Sequence, residues 1–466
     1  MKVLFVIPKR DARSILPAPD IGLAYLASAV IRAGAEVEIL DAHLEDVGPE
    51  KFAAWLRDKR FDLIGIKCLS IDIYNALEYC RVIKKNAQET VTVLGGPHPT
   101  ALPESVLKSQ EVDYVIRGEG ELGIVALIKK LVNSQGKITQ LEMTDIPCLT
   151  YRDADGRKII SNPVSLADDL DALGRPAWQL FKLKQYPLLP GSVGRFLPVI
   201  TTRGCPNECT FCGFSSSYGK KVRTRSPENV IEEIKWLIKD FNVQKVSIFD
   251  DNFLFHKDHA IKISELYRKE NFPVRFDIPQ GVRIDRIDQE LVTKLAEAGC
   301  DYVGIGIESG NQETLDIIKK GTNIGKIKEK VNLIKNNSRI KLMGFFIIGF
   351  PHETEAAVMD TIDFALTLPL DYAAFTIFTP FPGTLLFKQM IEEGYFSAGC
   401  INWQNLLLDR VTFEHRNIKR LRLKKLQKQA YLRFYLRLSK LPFFFRIMKE
   451  GSFSSYWKRL NSIIKQ

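Results

Sequence analysis

The chain has 466 residues, which is about three domain lengths of roughly 150 residues each, so a single compact fold is not expected. Hydrophobic residues make up 45% of the chain and charged residues 26%, which excludes a disordered protein. The formal net charge is +11, but residues 416–466 carry 15 Lys or Arg and one acid, leaving 51 bases against 54 acids before them. The composition therefore indicates a near-neutral body followed by a basic, aromatic tail.

The amino-terminal segment, Met1–Pro8, is basic and then apolar, but it is too short for the core of a signal peptide. No uninterrupted apolar run approaches the roughly 18 residues that a membrane-spanning helix needs. We therefore expect a cytoplasmic protein, either free in solution or lying peripherally on the inner membrane surface.

Short apolar runs alternate with helical patterns over residues 1–135. Strands that are buried on both faces and separated by helices predict an α/β domain with a doubly wound parallel sheet. The ligand of such a sheet lies beyond the carboxyl ends of its strands. The predicted strands are Val3–Ile7, Val37–Leu40, Leu63–Ile66, Val91–Leu94 and Tyr114–Ile116.

A second alternation of strands and helices covers residues 196–395 and predicts a partial (β/α)6 barrel. Residues 136–195 between the two regions are expected to be a linker with a small hairpin at Tyr151–Ile160. Residues 396–466 are expected to form a basic, aromatic, helical region. The predicted barrel strands are Val199–Thr202, Lys245–Phe249, Val274–Ile278, Tyr302–Ile307, Lys341–Ile348 and Tyr372–Phe378.

Three of the eight cysteines, Cys205, Cys209 and Cys212, have the spacing C-x3-C-x2-C directly after a predicted strand. Three thiolates from one tight loop can each bind one iron of a cubane cluster and leave the fourth iron open for chemistry. The alternative is a zinc knuckle that takes His256 or His259 as its fourth ligand.

This segment resembles the cluster motif of radical S-adenosylmethionine (SAM) enzymes. The resemblance extends over residues 1 to about 395 and is closest to the branch with an amino-terminal, Rossmann-like cobalamin (B12)-binding domain. That branch includes class B methylases and anaerobic Mg-protoporphyrin IX monomethyl ester cyclases. The segments that carry it are Thr202–Pro206, Arg223–Pro227, Phe249–Phe253, Gly304–Gly310 and Gly344–Pro351.

The resemblance implies three cofactors: a [4Fe–4S] cluster, SAM bound to the open iron, and cobalamin. One electron from an external reductant cleaves SAM to a 5′-deoxyadenosyl radical, which removes hydrogen from an unactivated carbon. The expected reaction is methylation of that carbon in a small-molecule or lipid-like substrate, with one SAM methylating cobalamin. The first alternative is radical cyclisation, rearrangement or oxygenation without methyl transfer. A second alternative is a protein that uses the cluster only structurally or for electron transfer.

Seven residues near the ends of predicted barrel strands suit the binding of SAM. Carboxylates would meet its ammonium group or ribose hydroxyls, and an arginine would pair with its carboxylate through two contacts. Phe211 would cover the cluster or stack on adenine, and glycines would let the backbone approach adenine closely. The alternative for each charged residue is an ordinary surface ion pair. The seven residues are Phe211, Asp250, Asp251, Arg283, Glu308, Gly344 and Gly349.

The amino-terminal domain has no G-x-G-x-x-G after its first strand, so it lacks the phosphate loop of a dinucleotide site. Its loops after the fourth and fifth strands resemble those that receive the nucleotide tail of cobalamin. His43 follows the second strand without the D-x-H-x-x-G pattern of domains that ligate cobalt through histidine, so it is not expected to be a cobalt ligand. The residues predicted to bind cobalamin are Ser70, Gly95, Gly96, Pro97, His98, Gly118 and Glu119.

The tail over residues 416–466 contains nine aromatic residues among its 15 bases. Such a segment suits a helix packed on the barrel, an interfacial helix on an anionic membrane, or RNA contact. We favour packing first and membrane contact second. Nucleic acid is disfavoured as a partner, because no RNA-binding barrel domain follows Glu393.

Overall fold

The computed structural model describes residues 1–10, 17–133, 139–188, 194–213, 219–396, 401–407 and 410–437. Its first sheet has seven strands in the order β2-β1-β3-β4-β5-β6-β7. The pairs among β1 to β5 are all parallel, as the sequence predicts. These five strands are β1 (Lys2–Ile7), β2 (Glu36–Asp41), β3 (Leu63–Lys67), β4 (Val91–Gly95) and β5 (Tyr114–Ile116).

Helices cover both faces of this sheet. The alternation of β1 shows why: Val3 and Phe5 belong to one apolar core, whereas Leu4 and Val6 belong to another. A strand that buries both of its faces needs a helical layer on each side. The helices are α1 (Ile21–Arg32), α2 (Pro49–Leu56), α3 (Ile73–Asn86), α4 (Pro97–Ala101), α5 (Pro103–Val106), α6 (Gly120–Asn133) and α7 (Gln140–Met143).

The hairpin predicted within the linker is part of the first sheet. It consists of β6 (Leu149–Arg152) and β7 (Ile159–Ser161), and β6 pairs antiparallel with β5. The pairing covers the edge of β5, which would otherwise expose unpaired backbone groups. The amino-terminal sheet therefore extends through Ser161, beyond the boundary at residue 135 that the sequence suggests.

The second sheet has six strands in the order β15-β14-β13-β12-β11-β8, and all of its pairs are parallel. It stays open between β8 and β15, which confirms the predicted partial barrel. The strands are β8 (Phe196–Val199), β11 (Lys245–Ile248), β12 (Arg275–Val282), β13 (Cys300–Glu308), β14 (Lys341–Ile348) and β15 (Tyr372–Ile377). A separate antiparallel pair, β9 (Thr202–Arg203) and β10 (Arg223–Thr224), flanks the cysteine segment.

Eight helices in the described residues accompany the barrel strands and follow them. They are α8 (Pro227–Phe241), α9 (Lys257–Glu270), α10 (Gln289–Glu297), α11 (Gln312–Ile317), α12 (Ile324–Asn337), α13 (Glu355–Thr367), α14 (Leu385–Glu392) and α15 (Arg420–Tyr435). No helix in the described ranges is long and apolar enough to cross a membrane.

The described part of the basic tail packs on the barrel. Side chains of α15 satisfy the backbone of β15 at the open edge of the sheet: the Tyr435 hydroxyl bonds both the N–H and the carbonyl of Ala373 (3.2 and 2.9 Å). Tyr431 and Gln427 do the same for Phe375 (3.1 and 2.8 Å). This segment is thus an edge cover of the barrel, whereas residues 438–466 lie outside the described residues.

Candidate active site

The cysteine segment begins directly after β9 with a turn that needs glycine. Gly204 has φ +96°, and a Cβ built on it would collide with the carbonyl oxygen of Lys221. Further along, the N–H of Thr210 donates to the carbonyl of Ile318 (3.0 Å), and its own carbonyl accepts from the N–H of Leu386 (2.9 Å). The loop is therefore anchored to the ends of α11 and α14, two separate parts of the barrel.

The three thiols of this loop are half-buried and take part in no disulfide. The side-chain amides of Asn207 and Asn252 both point to the Cys205 sulfur, at 3.1 and 3.7 Å. Hydrogen bonds to cluster sulfurs tune the reduction potential of an iron–sulfur centre. The N–H of Cys212 donates to the carbonyl of Cys209 (3.1 Å), which keeps the loop tight. This donor set fits a cubane cluster held by three cysteines.

The geometry does not favour the zinc alternative. His259 lies on α9, and its Nε2 is hydrogen-bonded to the carbonyl of Arg225 (2.8 Å). His256 precedes α9 and packs its ring against Phe255 (4.8 Å between centroids). In the described part of the chain, no three His, Cys, Asp or Glu side chains lie close enough together to bind one metal ion. A cubane needs a wider arrangement, because each thiolate binds a different iron.

Asp250 and Asp251 follow β11 at the same end of the sheet, and burial raises the pKa of each to about 6. The Asp250 carboxylate accepts hydrogen bonds from Thr201 N (2.6 Å), from the Thr201 hydroxyl and from the Thr202 hydroxyl (3.0 Å). Asp251 accepts from the N–H of Gly204 (3.1 Å). Both aspartates position the segment that leads into the cysteine loop, and their predicted contact with SAM remains a prediction.

A buried ion pair lies beside the loop. Glu308 ends β13 with the left-handed φ of +68°, and its carboxylate lies 2.8 Å from Nζ of Lys320. Such a backbone conformation is costly for a non-glycine residue and is common at functional sites. Burial alone would lower the pKa of Lys320, but Glu308 more than offsets this, so the pKa is raised. Burial raises the pKa of Cys209, and Lys320 and Arg283 oppose that shift.

Arg283 lies at the end of β12 and faces the same loop as Lys320. Its Nε is 3.2 Å from the Asp285 carboxylate, and one Nη donates to the carbonyl of Gly321 (3.2 Å). Sequence reasoning found Arg283 and Glu308 but missed Lys320, because no motif surrounds it. Its proximity to Glu308 arises only when the segment after α11 folds back over β13.

Gly344 and Gly349 are both required by packing within the protein. A Cβ on Gly344 would lie 2.6 Å from Leu370, and one on Gly349 would lie 2.6 Å from Leu423 on α15. The predicted close approach of the backbone to adenine at these positions stays a prediction.

Phe211 and the turn after β14 meet at the top of the barrel. The Phe211 ring packs edge-on against Phe350, with centroids 5.7 Å apart. The turn is held by Glu353, whose carboxylate accepts from the N–H of Gly349 (2.7 Å) and of Phe350 (3.0 Å). Burial raises the pKa of Glu353 to about 7. Sequence reasoning missed Glu353, although it follows the singled-out Gly344–Pro351 segment by two residues.

At the first sheet, the structure brings the residues predicted for cobalamin to one edge. Ser70 follows β3, and its hydroxyl lies 3.0 Å from Nδ1 of His98 at the start of α4. Between them, Gly96 has φ +104°, and a Cβ there would lie 2.9 Å from the Cys68 carbonyl. Gly95 and Pro97 flank this turn, which draws the ends of β3 and β4 together. The residues that the resemblance assigns to the nucleotide tail of cobalamin thus lie together at the carboxyl ends of β3 and β4.

His98 is buried, and its ring packs edge-on against Trp403, with centroids 4.9 Å apart. Burial lowers the pKa of His98 to about 4, so the ring is neutral at physiological pH. His43 follows β2, and its Nδ1 accepts from the N–H of Arg10 (3.3 Å), whose side chain pairs with Asp72.

The structure gives the Glu119 side chain partners in the barrel, and the predicted contact of its loop with cobalamin stays a prediction. Gly118 has φ +69°, and its N–H donates to the Thr100 hydroxyl (2.9 Å). The carboxylate of Glu119 then points away from the first sheet and pairs with Arg223 (2.9 Å) and Arg203 (3.5 Å) of the barrel. The Glu119 carboxylate therefore forms ion pairs between the two domains, because two guanidinium groups of the barrel neutralise its charge.

The molecule is an α/β protein with two candidate cofactor sites: a three-thiol loop at the carboxyl end of the open parallel sheet, and a glycine-rich edge on the mixed first sheet. The model of the Radical SAM superfamily matches residues 199–365, and that of the B12 binding domain matches residues 12–128.

An uncharacterized methyltransferase of Pyrococcus horikoshii is 32% identical over 446 residues, which cover 94% of this chain and 93% of that protein. An anaerobic magnesium-protoporphyrin IX monomethyl ester cyclase of Rubrivivax gelatinosus is 28% identical and covers 84% of this chain and 70% of its own length. The structure of the radical SAM methyltransferase TsrM from Kitasatospora setae has a similar fold, with a TM-score of 0.67 and 20% identity over 84% of this chain and 75% of that one.

The chain therefore belongs to the radical SAM superfamily and carries an amino-terminal B12-binding domain. It is an enzyme whose cofactors are a [4Fe–4S] cluster, SAM and cobalamin, as the resemblance implied. Its structure has the residues to hold the cluster at Cys205, Cys209 and Cys212.

Proposed function

We propose that this protein is a cobalamin-dependent radical SAM methyltransferase that methylates an unactivated carbon of a small organic substrate. The observation that carries the proposal is the 32% identity to a methyltransferase-named relative over nearly the full length of both chains. A match over 94% of this chain is too long to be confined to one of the two cofactor domains.

In this proposal the bound cofactors supply a radical that removes hydrogen and a methyl group that replaces it. The chain's part is to hold and orient them. Cys205, Cys209 and Cys212 hold the cluster, while Asp251, Arg283, Glu308 and Phe211 surround the SAM bound to it. The charged pair of Glu308 and Lys320 suits the zwitterionic methionine end of SAM, because each charge there can meet its opposite. Ser70, Gly95–His98 and Gly118 receive the nucleotide tail of cobalamin.

A second candidate function is radical cyclisation without methyl transfer. The 28% identity to a cyclase over 84% of the chain favours it. The two functions differ in the destination of the SAM methyl group.

The test uses reconstituted holoprotein, a one-electron reductant, SAM with an isotope-labelled methyl group, and a small-molecule extract of cells that lack the enzyme. Methyl transfer predicts label on cobalamin and then in a new product, detected by mass spectrometry. Formation of 5′-deoxyadenosine with no label on cobalamin or product would contradict methylation and favour the second candidate. Cys212→Ala should abolish both outcomes, whereas Cys300→Ala, a buried cysteine in β13, should leave them intact.

We further propose a lipid-like substrate and a peripheral membrane contact of the tail. Support comes from the outer surface of α15, where Leu421 is 77% exposed next to the exposed bases Arg420 and Arg422. Leu421→Asp places a negative charge on this surface and leaves the buried face of α15 unchanged. It should reduce pelleting with anionic vesicles but not change the weak pelleting with phosphatidylcholine vesicles. Equal pelleting of the wild type and Leu421→Asp would contradict the contact.

A further inference from the structure

Four charged residues are buried where the amino-terminal domain meets the barrel: Glu119, Glu121, Arg203 and Arg223. We call them the interdomain charge cluster. All four side chains are at most 7% exposed. Glu119 directly precedes α6 of the B12-binding domain, and Glu121 lies in its first turn. The two arginines are paired in register across the β9–β10 pair of the barrel.

The charges in this cluster balance. Both Nη groups of Arg223 donate to the Glu119 carboxylate, one of them at 2.9 Å. Arg203 donates to the Glu121 carboxylate (2.8 Å) and also lies 3.5 Å from that of Glu119. Arg223 also donates to the carbonyl of Ala167 (2.7 Å). Two-pronged guanidinium–carboxylate contacts fix orientation as well as distance. The cluster therefore sets one particular geometry between the two domains.

The cluster is connected closely to the iron-binding loop. Arg203 is followed directly by Gly204 and Cys205, the first predicted cluster ligand. The N–H of Gly204 is held by Asp251 (3.1 Å), so the short path from Arg203 to the Cys205 sulfur contains a fixed turn. A displacement of Arg203 is thereby transmitted to the cysteine loop.

On the other side, the cluster is connected to the cobalamin edge. Glu119 follows Gly118, whose N–H is bound to the hydroxyl of Thr100 in α4. Helix α4 also carries His98, which pairs with Ser70. The loops predicted to receive cobalamin are thus joined to the cysteine loop through two short covalent segments and one set of buried ion pairs.

A second buried group reinforces the same junction. The guanidinium of Arg203 lies over the ring of Tyr25 in α1, 5.3 Å from its centroid. The Tyr25 hydroxyl accepts from Arg225 (3.1 Å) and donates to Glu233 (3.3 Å), and those two residues are themselves paired at 2.8 Å. Apolar side chains of the two domains also share a continuous core, which includes Leu23 of α1 and Val230 of α8. Apolar contacts hold the domains together but are not directional. The buried, mutually oriented charges therefore add a preference for one orientation.

We infer that Glu119, Glu121, Arg203 and Arg223 are positioning residues that hold the [4Fe–4S] loop at one fixed separation from the cobalamin domain. The inference rests on the proposed function only in that the two cofactors act on the same substrate. When the cysteine loop and the cobalamin domain keep one separation, SAM cleavage stays coupled to the methyl transfer that follows it. When that separation varies, 5′-deoxyadenosine forms without methylated product.

The test measures the magnetic coupling between the reduced cluster and cob(II)alamin by EPR, in holoprotein loaded with both. The wild type should show one resolved coupling. Glu119→Gln should broaden or abolish it, since two guanidinium groups lose their shared charge, while Glu119→Asp should restore part of it. The signals of each centre measured alone should stay unchanged, which a general loss of structure would not allow.

Asp277→Asn is the control, because Asp277 forms a half-buried ion pair with Lys245 (2.8 Å) near the amino ends of the barrel strands, away from the domain junction. It should leave the coupling as in the wild type. If Glu119→Gln yields no folded holoprotein, Glu121→Gln and Arg203→Lys carry the test, since each weakens fewer contacts. Wild-type coupling in these variants would overturn the inference.

The EPR result and the methyl-label result fail separately. If Glu119→Gln changes the coupling but the wild type transfers no labelled methyl group, the proposed methyltransferase activity is contradicted and the positioning role is supported. If the label is transferred and Glu119→Gln changes neither the product yield nor the coupling, the methyltransferase activity is supported and the positioning role is contradicted.

Discussion

The carboxyl ends of the two sheets differ in how their buried polar groups are arranged. The first sheet presents small residues and a buried neutral histidine, His98, with Ser70 beside it, and charges at this end are paired, Arg10 with Asp72 and Lys67 with Asp20. The second sheet presents the buried pair of Glu308 and Lys320 next to the cysteine loop. The edge at His98 suits a large ligand recognised by shape and hydrogen bonds, whereas the charged pair beside the cysteine loop suits a small zwitterion. The five predictions below test this difference, from the largest expected effect to the smallest.

Cys209→Ser should abolish the cluster and all SAM cleavage but leave cobalamin binding unchanged, because the two sites depend on different sheets. The measurements are the EPR signal of the reduced cluster, 5′-deoxyadenosine formation, and titration with hydroxocobalamin. Cys80→Ser, in α3 of the first domain, should keep the cluster. Loss of cobalamin binding in Cys209→Ser would contradict the independence of the two ends.

Arg223→Ala should destabilise the protein by about 3–5 kcal/mol, because it leaves the Glu119 carboxylate buried with one partner removed. Urea unfolding followed by circular dichroism measures the change. Lys257→Ala, which removes an exposed cation paired with Asp288 and Glu290, should have little effect. Similar losses in both variants would show that burial of the interdomain charges does not matter.

Lys320→Met should weaken SAM binding by roughly 10- to 100-fold, since a charged hydrogen bond contributes about 1.5–3 kcal/mol. Equilibrium binding of SAM to the reconstituted protein measures this effect. Lys319→Met changes the exposed neighbouring lysine and serves as the control. Equal affinities of the two variants would remove Lys320 from the SAM site.

The buried histidine of the first sheet, His98, should affect how the free energy of unfolding depends on pH. Burial lowers the pKa of His98 from an ordinary value of 6.5 to about 4. Between pH 6.5 and 4, His98 is therefore protonated in the unfolded chain but not in the folded chain. The free energy of unfolding falls as the pH drops through this range. His98→Gln should flatten this decline by an amount on the order of 2 kcal/mol. An unchanged pH profile in the variant would show that His98 is not held neutral.

Tyr435→Phe removes the hydroxyl that bonds both backbone groups of Ala373 on β15. We expect a loss of about 1 kcal/mol in the free energy of unfolding, the ordinary contribution of a hydrogen bond. Leu436→Ser, at an exposed neighbouring position, is the control. If Tyr435→Phe were neutral, the edge of the barrel would not depend on α15.

Local pattern was sufficient for the elements with a strong period. The apolar runs of β1 and β14 alternate or repeat so clearly that their strands are predicted within a residue or two. The cysteine spacing likewise predicts its loop, because all three ligands are neighbours in the chain. The hairpin of β6 and β7 was also predicted, but its pairing with β5 was not, since no local signal states which edge a hairpin joins.

The contacts that the sequence does not predict involve distant partners. The resemblance places the loop of Glu119 at cobalamin, but it does not indicate that two arginines about 80 to 100 positions away pair with its carboxylate. The sequence likewise does not indicate that Leu370 and Leu423 pack against Gly344 and Gly349. Lys320 carries no motif and becomes notable only through its contact with Glu308.

The near-neutral body and the basic tail show the same difference between what the sequence predicts and what the structure adds. The sequence by itself determined the two α/β regions, the three-thiol loop and the basic tail, because periodicity and ligand spacing are local properties. Only the tertiary structure decided that the described tail covers the edge of β15, and that the two domains are joined by buried, balanced charges. The physical reason is that burial and pairing depend on which distant segments share a low-dielectric space, and a charge in the sequence does not specify its partner.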